Sequence, residues 1–335
     1  MVPAPQDVSS TGPAQEGTFA TASPMVLVVP MISAGSTVGV LGLGARKSGR
    51  DYSTDDRHLL NTLARYAAPA IRVGQLVREQ QAQARRRERV ERQLNVARLV
   101  QQQFLPTSPP DLPGWQVAAL YRPALRVGGD FYDFIPLPDG RVMVVIGDVT
   151  DKGVPAALVM ASTHSLLRAA APRLTSPGAV LAAVNELLCK DTPAQMFVTC
   201  LALVLDGDSG QVTFANAGHD VPYVRTADGM AELRAKGMPL GLMPGMTYAE
   251  ETFSFQPGDR ALLHSDGLSE AHGPGREMFG FHRVAALAAR GTSGQHLLDL
   301  CLRELAAFTG PGYEQEDDIT LLALERTPSH SGGPR

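Results

Sequence analysis

The sequence predicts an α+β protein whose helices cover β-sheets, preceded by a small α/β segment and a helical linker. Three observations predict it. Apolar, β-branched runs crowd the C-terminal two-thirds of the chain. Helical stretches stand between groups of these runs rather than after every one, which favours a layered α+β arrangement. A charged stretch without Gly or Pro, 78–103, separates this region from an earlier hairpin and helix.

At 335 residues, 44% hydrophobic and 19% charged, the chain is large enough for two modest domains with packed cores. A net charge of −4 gives no general attraction to nucleic acid or to an anionic membrane, and neither is expected as a partner. Cys189, Cys200 and Cys301 form no C-x-x-C pair and are expected as buried fillers in a reduced compartment. No signal peptide pattern and no run of membrane-spanning length is present, so a cytoplasmic location is expected.

In chain order, residues 1–18 are expected to be a disordered tail. The runs 25–31 and 37–43, with a Gly/Ser turn between them, predict a hairpin. Asp51–Asp56 offers a helix N-cap, and Leu59, Leu60, Leu63, Ala67, Ala70 and Ile71 follow at helical spacing. This first segment is bounded at 19–79. Over 80–106 a linker helix is expected, with Val90, Leu94, Ala97 and Phe104 at heptad-compatible steps. A solvated linker and a dimerising coiled coil, giving a homodimer, both fit. The cluster Arg85–Arg87 is interleaved with Glu88 and Glu91, as on a solvated helix face. Pro106–Pro113 breaks the helix and opens a domain at 107–327, followed by a disordered tail at 328–335. Strands are predicted at 115–121, 131–135, 142–149, 196–205, 212–216, 261–264 and 319–324. Helices are predicted at 155–170, 177–188, 281–287 and 295–308.

Four aspartate segments stand at strand ends. Asp130 follows two glycines as a strand begins, and Asp148 sits at the exit of an apolar strand. Asp266 ends a third strand beside Gly267, and Asp317 and Asp318 precede a fourth. Each alone fits an ordinary turn. Together they can converge at one sheet edge, where mutual repulsion calls for hard cations such as Mg²⁺ or Mn²⁺. The histidines lack H-E-x-x-H spacing. No G-x-S-x-G elbow, Walker A loop or Rossmann fingerprint is present, which disfavours acyl transfer, P-loop and nicotinamide chemistry.

At Gly128–Asp133, Gly147–Ala157, Asn216–His219 with Pro222, Gly237–Gly241, Pro257–Asp259 leading to Ser265–Glu270, and Asp317–Thr320, the chain resembles the metal-dependent (2C-type, PPM) protein phosphatases, in their bacterial SpoIIE/RsbU branch. These motifs run in family order across roughly 95–325. The resemblance implies an αββα sandwich holding two Mn²⁺ or Mg²⁺ ions. Carried over by motif, Asp148 bridges the metals, the Val149 carbonyl ligates one, Asp266 and Asp317 complete the other's shell, and Asp130 holds a metal directly or through water. Asp317 is preferred over Asp318, as the first residue of its motif. A water between the two ions would lose its proton and attack phosphorus in line.

The implied activity is hydrolysis of phosphoserine or phosphothreonine on a protein partner, by family analogy a STAS-type anti-anti-sigma factor. A catalytically silent phosphatase-fold scaffold and a hydrolase of small phosphate esters are the competing readings. Arg126 is a candidate phosphate grip, or a surface arginine flanking a strand. His219 is expected to orient its turn rather than to act in catalysis. Asp151 departs from the family, where many relatives carry glycine. The stretch from Val26 to Val77 resembles the C-terminal half of a GAF sensor domain. The half that forms much of the ligand pocket does not precede it, so no small-molecule site is expected there. Docking onto a partner or a second subunit is the other role open to it.

Overall fold

The computed structural model describes residues 6–7, 25–193 and 195–328. The chain divides into two units, Met1–Arg92 and Gln93–Arg335.

In the first unit β1 (Gln6–Asp7), β2 (Leu27–Ser33) and β3 (Ser36–Leu43) form an antiparallel sheet in that order. The tail expected at 1–18 lies outside the described residues apart from Gln6–Asp7, which pair with β2. Ala34 and Gly35, both at positive φ, make the tight turn between β2 and β3; two such residues match the strands' right-handed twist. Leu27, Val29 and Met31 alternate inward and meet Ala64 and Ala68 of α1 (Thr54–Gln102). Ser53 and Asp56 cap that helix reciprocally: the Ser53 amide donates to the Asp56 carboxylate at 2.9 Å, and the Asp56 amide to Ser53 Oγ at 3.2 Å. Two helices were expected here, and one continuous helix is found. Pro69 and Gly74 lie inside it, because a single proline removes only one ladder hydrogen bond from an otherwise strong helical sequence.

The second unit is an αββα sandwich. One five-stranded antiparallel sheet contains β5 (Phe131–Pro136), β6 (Val142–Val149), β7 (Val198–Leu205), β8 (Gln211–Ala217) and β11 (Glu251–Ser254), in the order β11-β8-β7-β6-β5. The other has the order β10-β9-β12-β13-β4, from β4 (Trp115–Arg122), β9 (Tyr223–Thr226), β10 (Gly229–Glu232), β12 (Arg260–His264) and β13 (Ile319–Arg326). Helices α2 (Val154–Leu174) and α3 (Pro177–Asp191) cover the first sheet. After the single turn α4 (Asp266–Ser269), α5 (Phe281–Ala288) and α6 (Gly294–Thr309) cover the second.

The continuous apolar runs follow from this layering. In β6, Met143 and Val145 face the helices while Val144 and Ile146 face the opposite sheet. In β13, Ile319 and Leu321 face α6 while Leu322 and Leu324 enter the layer between the sheets. A strand buried on both faces shows no polar alternation, even in an antiparallel sheet. Strands β9, β10 and β11 were not expected. They are four residues each, and β10 and β11 are polar sheet edges without an apolar run to mark them.

Candidate metal centre

The sheet ends gather the aspartates. Asp130 lies just before β5, Asp148 next to the last residue of β6, and Asp317 and Asp318 just before β13. Asp266 was expected to end a strand. Instead β12 stops at His264, and Asp266 opens the single turn α4. Asp130 and Asp148 are electrostatic neighbours, and Asp148 in turn faces Asp266, Asp317 and Asp318. All four sequence-predicted carboxylates therefore share one site.

Their charges tell against each other. Burial, then the charges of Asp148 and Asp318, pushes Asp130 well above the carboxylate range. Burial, then Asp266, pushes Asp148 up to about 8. Burial, then Asp317, raises Asp266 to about 6. Asp266 Oδ1 is buried without a hydrogen-bond partner. A Cβ added at Gly129 would stand 2.8 Å from the Val149 carbonyl oxygen and 3.4 Å from Asp148 Oδ1, so glycine keeps open the space those two oxygens face. An orphaned carboxylate oxygen, a carbonyl and a set of mutually repelling carboxylates suit a hard divalent cation. Among the described residues no three acidic, histidine or cysteine side chains already close into a ligand set. Carboxylates draw together against positive charge, and the donor chemistry present fits such a cation.

Asp317 and Asp318 have different tasks. Asp318 is buried, and its oxygens are taken by backbone amides, from Ala124 at 2.8 Å and Gly129 at 2.7 Å. Asp317 is partly exposed and uses Oδ1 to accept the Asp318 amide at 2.9 Å. Its Oδ2 pairs with Lys152 Nζ at 2.9 Å. Asp317 is thus the more exposed of the two, and its partners are one backbone amide and one side chain at the surface. Gln101 clamps the same glycine loop, donating to the Gly128 carbonyl at 2.6 Å and accepting the Gly128 amide at 3.1 Å.

Arg126 does not join the carboxylates. Its guanidinium donates to Asn95 Oδ1 at 2.9 Å. His219 Nδ1 lies 2.9 Å from Thr199 Oγ1, and Asn216 ties down both its amide and its carbonyl. Burial drives its imidazole down to about 4, so it is neutral near pH 7. Thr199 lies opposite Asp148 in the β6–β7 ladder, so His219 braces the strand beside the site. Sequence reasoning missed Lys152, although it lies inside the Gly147–Ala157 motif, and it missed Asp220, which follows His219 directly and adds to the charge around Asp266. The available signal was proximity to motifs already quoted.

The sequence pattern of the SpoIIE family (stage II sporulation protein E) matches residues 138–327, and that of the GAF domain matches 3–72, beginning ahead of the boundary expected at 19. The chain is similar to Protein IcfG of Synechocystis sp., 33% identical over 264 residues, which are 70% of this chain and 41% of that protein. It is similar to the phosphoserine phosphatase RsbU of Bacillus subtilis, 29% identical over 202 residues, 60% of each. The RsbU and RsbW domains of Rv1364c from Mycobacterium tuberculosis align with a TM-score of 0.57 at 32% identity, over 67% of this chain and 63% of that one. The SiaA-PP2C domain of Pseudomonas aeruginosa shares the fold, with a TM-score of 0.63 at 23% identity over 71% and 98% of the two chains. The chain spans from 36% to 60% of the length of the curated relatives it matches.

Proposed function

From the premise that the chain belongs to the SpoIIE family of PP2C-type phosphatases, we propose that it is a metal-dependent serine/threonine protein phosphatase. The observation that carries this is the meeting of Asp130, Asp148, Asp266 and Asp317 from four separate segments, beside the open Val149 carbonyl.

Two Mn²⁺ or Mg²⁺ ions would supply, when bound, an activated water and neutralisation of charge on the phosphoryl oxygens. Asp148, the shared neighbour of Asp130 and Asp266, would be the carboxylate common to both ions. Val149 offers its carbonyl, Asp266 its orphaned oxygen, and Asp317 the carboxylate that Lys152 now holds. Asp318 and Gln101 keep the Gly128–Asp130 loop in place beneath them.

For the substrate we propose a phosphorylated STAS-type anti-anti-sigma factor. RsbU is a phosphoserine phosphatase, and the mycobacterial relative carries an RsbW domain beside its RsbU domain. A cytoplasmic setting goes with such a partner; among the described residues no helix is long and apolar enough to cross a membrane.

The test is hydrolysis of a phosphoserine peptide and of p-nitrophenyl phosphate by the full chain in Mn²⁺, in Mg²⁺ and in chelator, with Asp148→Asn as control. Metal-dependent release of phosphate that the variant loses is expected. Absence of turnover together with absence of metal binding by calorimetry would leave a silent scaffold instead. A phosphorylated STAS protein left intact by a chain that is active on peptides would remove the substrate assignment alone.

A further inference from the structure

Four aspartates and two divalent cations would sum to no net charge, so a phosphoserine dianion whose oxygens meet the ions would still leave the site with a net negative charge for a neighbouring cation to offset. The arginine nearest the glycine loop by sequence, Arg126, is committed to Asn95. We propose that Lys152 is the residue that grips the incoming phosphoryl group. This rests on the phosphatase reading and adds to it a substrate-binding residue.

Lys152 lies in the turn between Asp148 and α2, flanked by Asp151 at φ 70° and Gly153 at φ 77°. That doubly left-handed turn carries its side chain across to the loop before β13. There Nζ meets Asp317 Oδ2 at 2.9 Å and donates to the Glu316 carbonyl. The ammonium also feels the charges of Asp318 and Asp266. Its side chain is 46% exposed, so the amine stands at the edge of the carboxylate cluster rather than inside it, within reach of solvent and of a ligand arriving from solvent.

With Asp317 given over to a cation, Lys152 would lose its carboxylate partner and keep the carbonyl tether of Glu316. An ammonium with three donors, held by one carbonyl, has donors left for phosphate oxygens. The Lys152–Asp317 pair then serves as the resting position of a cation that substrate recruits. The outcome is recognition of the phosphate itself, independent of the protein that bears it.

The experiment compares the full chain with Lys152→Ala and Lys152→Arg in saturating Mg²⁺. Inorganic phosphate binding is measured by calorimetry, phosphoserine-peptide kinetics by phosphate release, and metal affinity by a separate isotherm. Lys152→Ala is expected to weaken phosphate binding and raise KM, each about tenfold. Lys152→Arg should recover much of both, and metal affinity should shift less than the phosphate affinity. Unchanged phosphate binding and KM with weakened metal binding would overturn the proposal and make Lys152 a strut for Asp317. A wild-type chain that turns nothing over but binds phosphate through Lys152 would uphold this site while removing the enzymatic reading. A magnesium-loaded wild-type chain that binds no phosphate would overturn the site itself.

Discussion

The carboxylate of Asp318 accepts the backbone amide of Gly129 at 2.7 Å, tying the residue before β13 to the loop before β5 across 189 positions of sequence. The same carboxylate holds the Ala124 amide at 2.8 Å, and the Thr320 hydroxyl, two residues on, donates to Asp130 at 2.7 Å. Two strands of different sheets are thereby locked at the site end of the sandwich.

Removing that acceptor should be costly. Asp318→Ala leaves the buried amide of Gly129 and the partly buried amide of Ala124 without a partner, with an expected loss of about 3 kcal/mol in urea unfolding. Gly128→Ala attacks the same joint sterically, since its Cβ would lie 2.0 Å from Asp318 Oδ2 and 2.4 Å from the Tyr121 hydroxyl. Both variants should lower metal affinity as well, because Asp130 rides on this loop. A stable Asp318→Ala protein with wild-type metal binding would show that the joint is dispensable.

Asp148 should trade stability for function. Its folded carboxyl lies near 8 against 3.8 when unexposed to the site, raised by burial and then by Asp266. A raised acid contributes stability below the unfolded value and loses it as pH climbs through the folded one, so between about pH 4 and 8 the metal-free fold weakens. Asp148→Asn is therefore expected to melt higher than wild type in chelator at pH 7, by the equivalent of about 2 kcal/mol, while losing metal-dependent turnover. Equal melting temperatures across that pH range would contradict this account of the cluster.

Asp133 shows the opposite sign. It is fully buried on β5, and Arg168 and His164 of α2 meet it at 2.5 and 3.0 Å. Burial alone would raise its carboxyl, but the hydrogen bonds from Arg168 and His164 outweigh burial and hold it below 3.8. Stability from this triad is present above the unfolded value and is lost as pH falls below about 4 through the folded one. Asp133→Asn should cost about 3 kcal/mol at neutral pH, by leaving a buried joint without its charge. It should also flatten the acid limb of the unfolding curve, measured by denaturant titration from pH 3 to 7.

The strands of the central layers and their helices were legible because apolar runs and helical spacing mark them in any context. The four aspartates were legible as motifs, and their meeting follows from topology that motif order implied. Asp318 was not legible as a clamp. Nothing local distinguishes it from Asp317, and only the fold brings the Gly129 amide to it. Lys152 was hidden for a similar reason: its partner lies 165 positions away, and a lysine before a helix carries no sign of what it faces. The unbroken α1 was hidden because apolar helical spacing gives way to a charged stretch near residue 78, which reads as a boundary between segments although the backbone stays helical through it.

The turn that aims Lys152 can be tested without touching a side chain. Gly153 sits at φ 77°, ψ −148°, a region that glycine alone occupies freely, and a Cβ there would meet nothing within 4 Å. Any cost of Gly153→Ala is therefore backbone strain, expected at about 2 kcal/mol. Asp151 at φ 70° is left-handed too, where glycine would sit without strain, so Asp151→Gly should be neutral to stabilising by about 0.5 kcal/mol. If the turn positions Lys152, Gly153→Ala should weaken inorganic phosphate binding in Mg²⁺ even where the protein stays folded, and Asp151→Gly should leave it within about twofold. Phosphate binding by the folded Gly153→Ala protein that matches wild type would show that the lysine finds its place without help from the backbone beneath it.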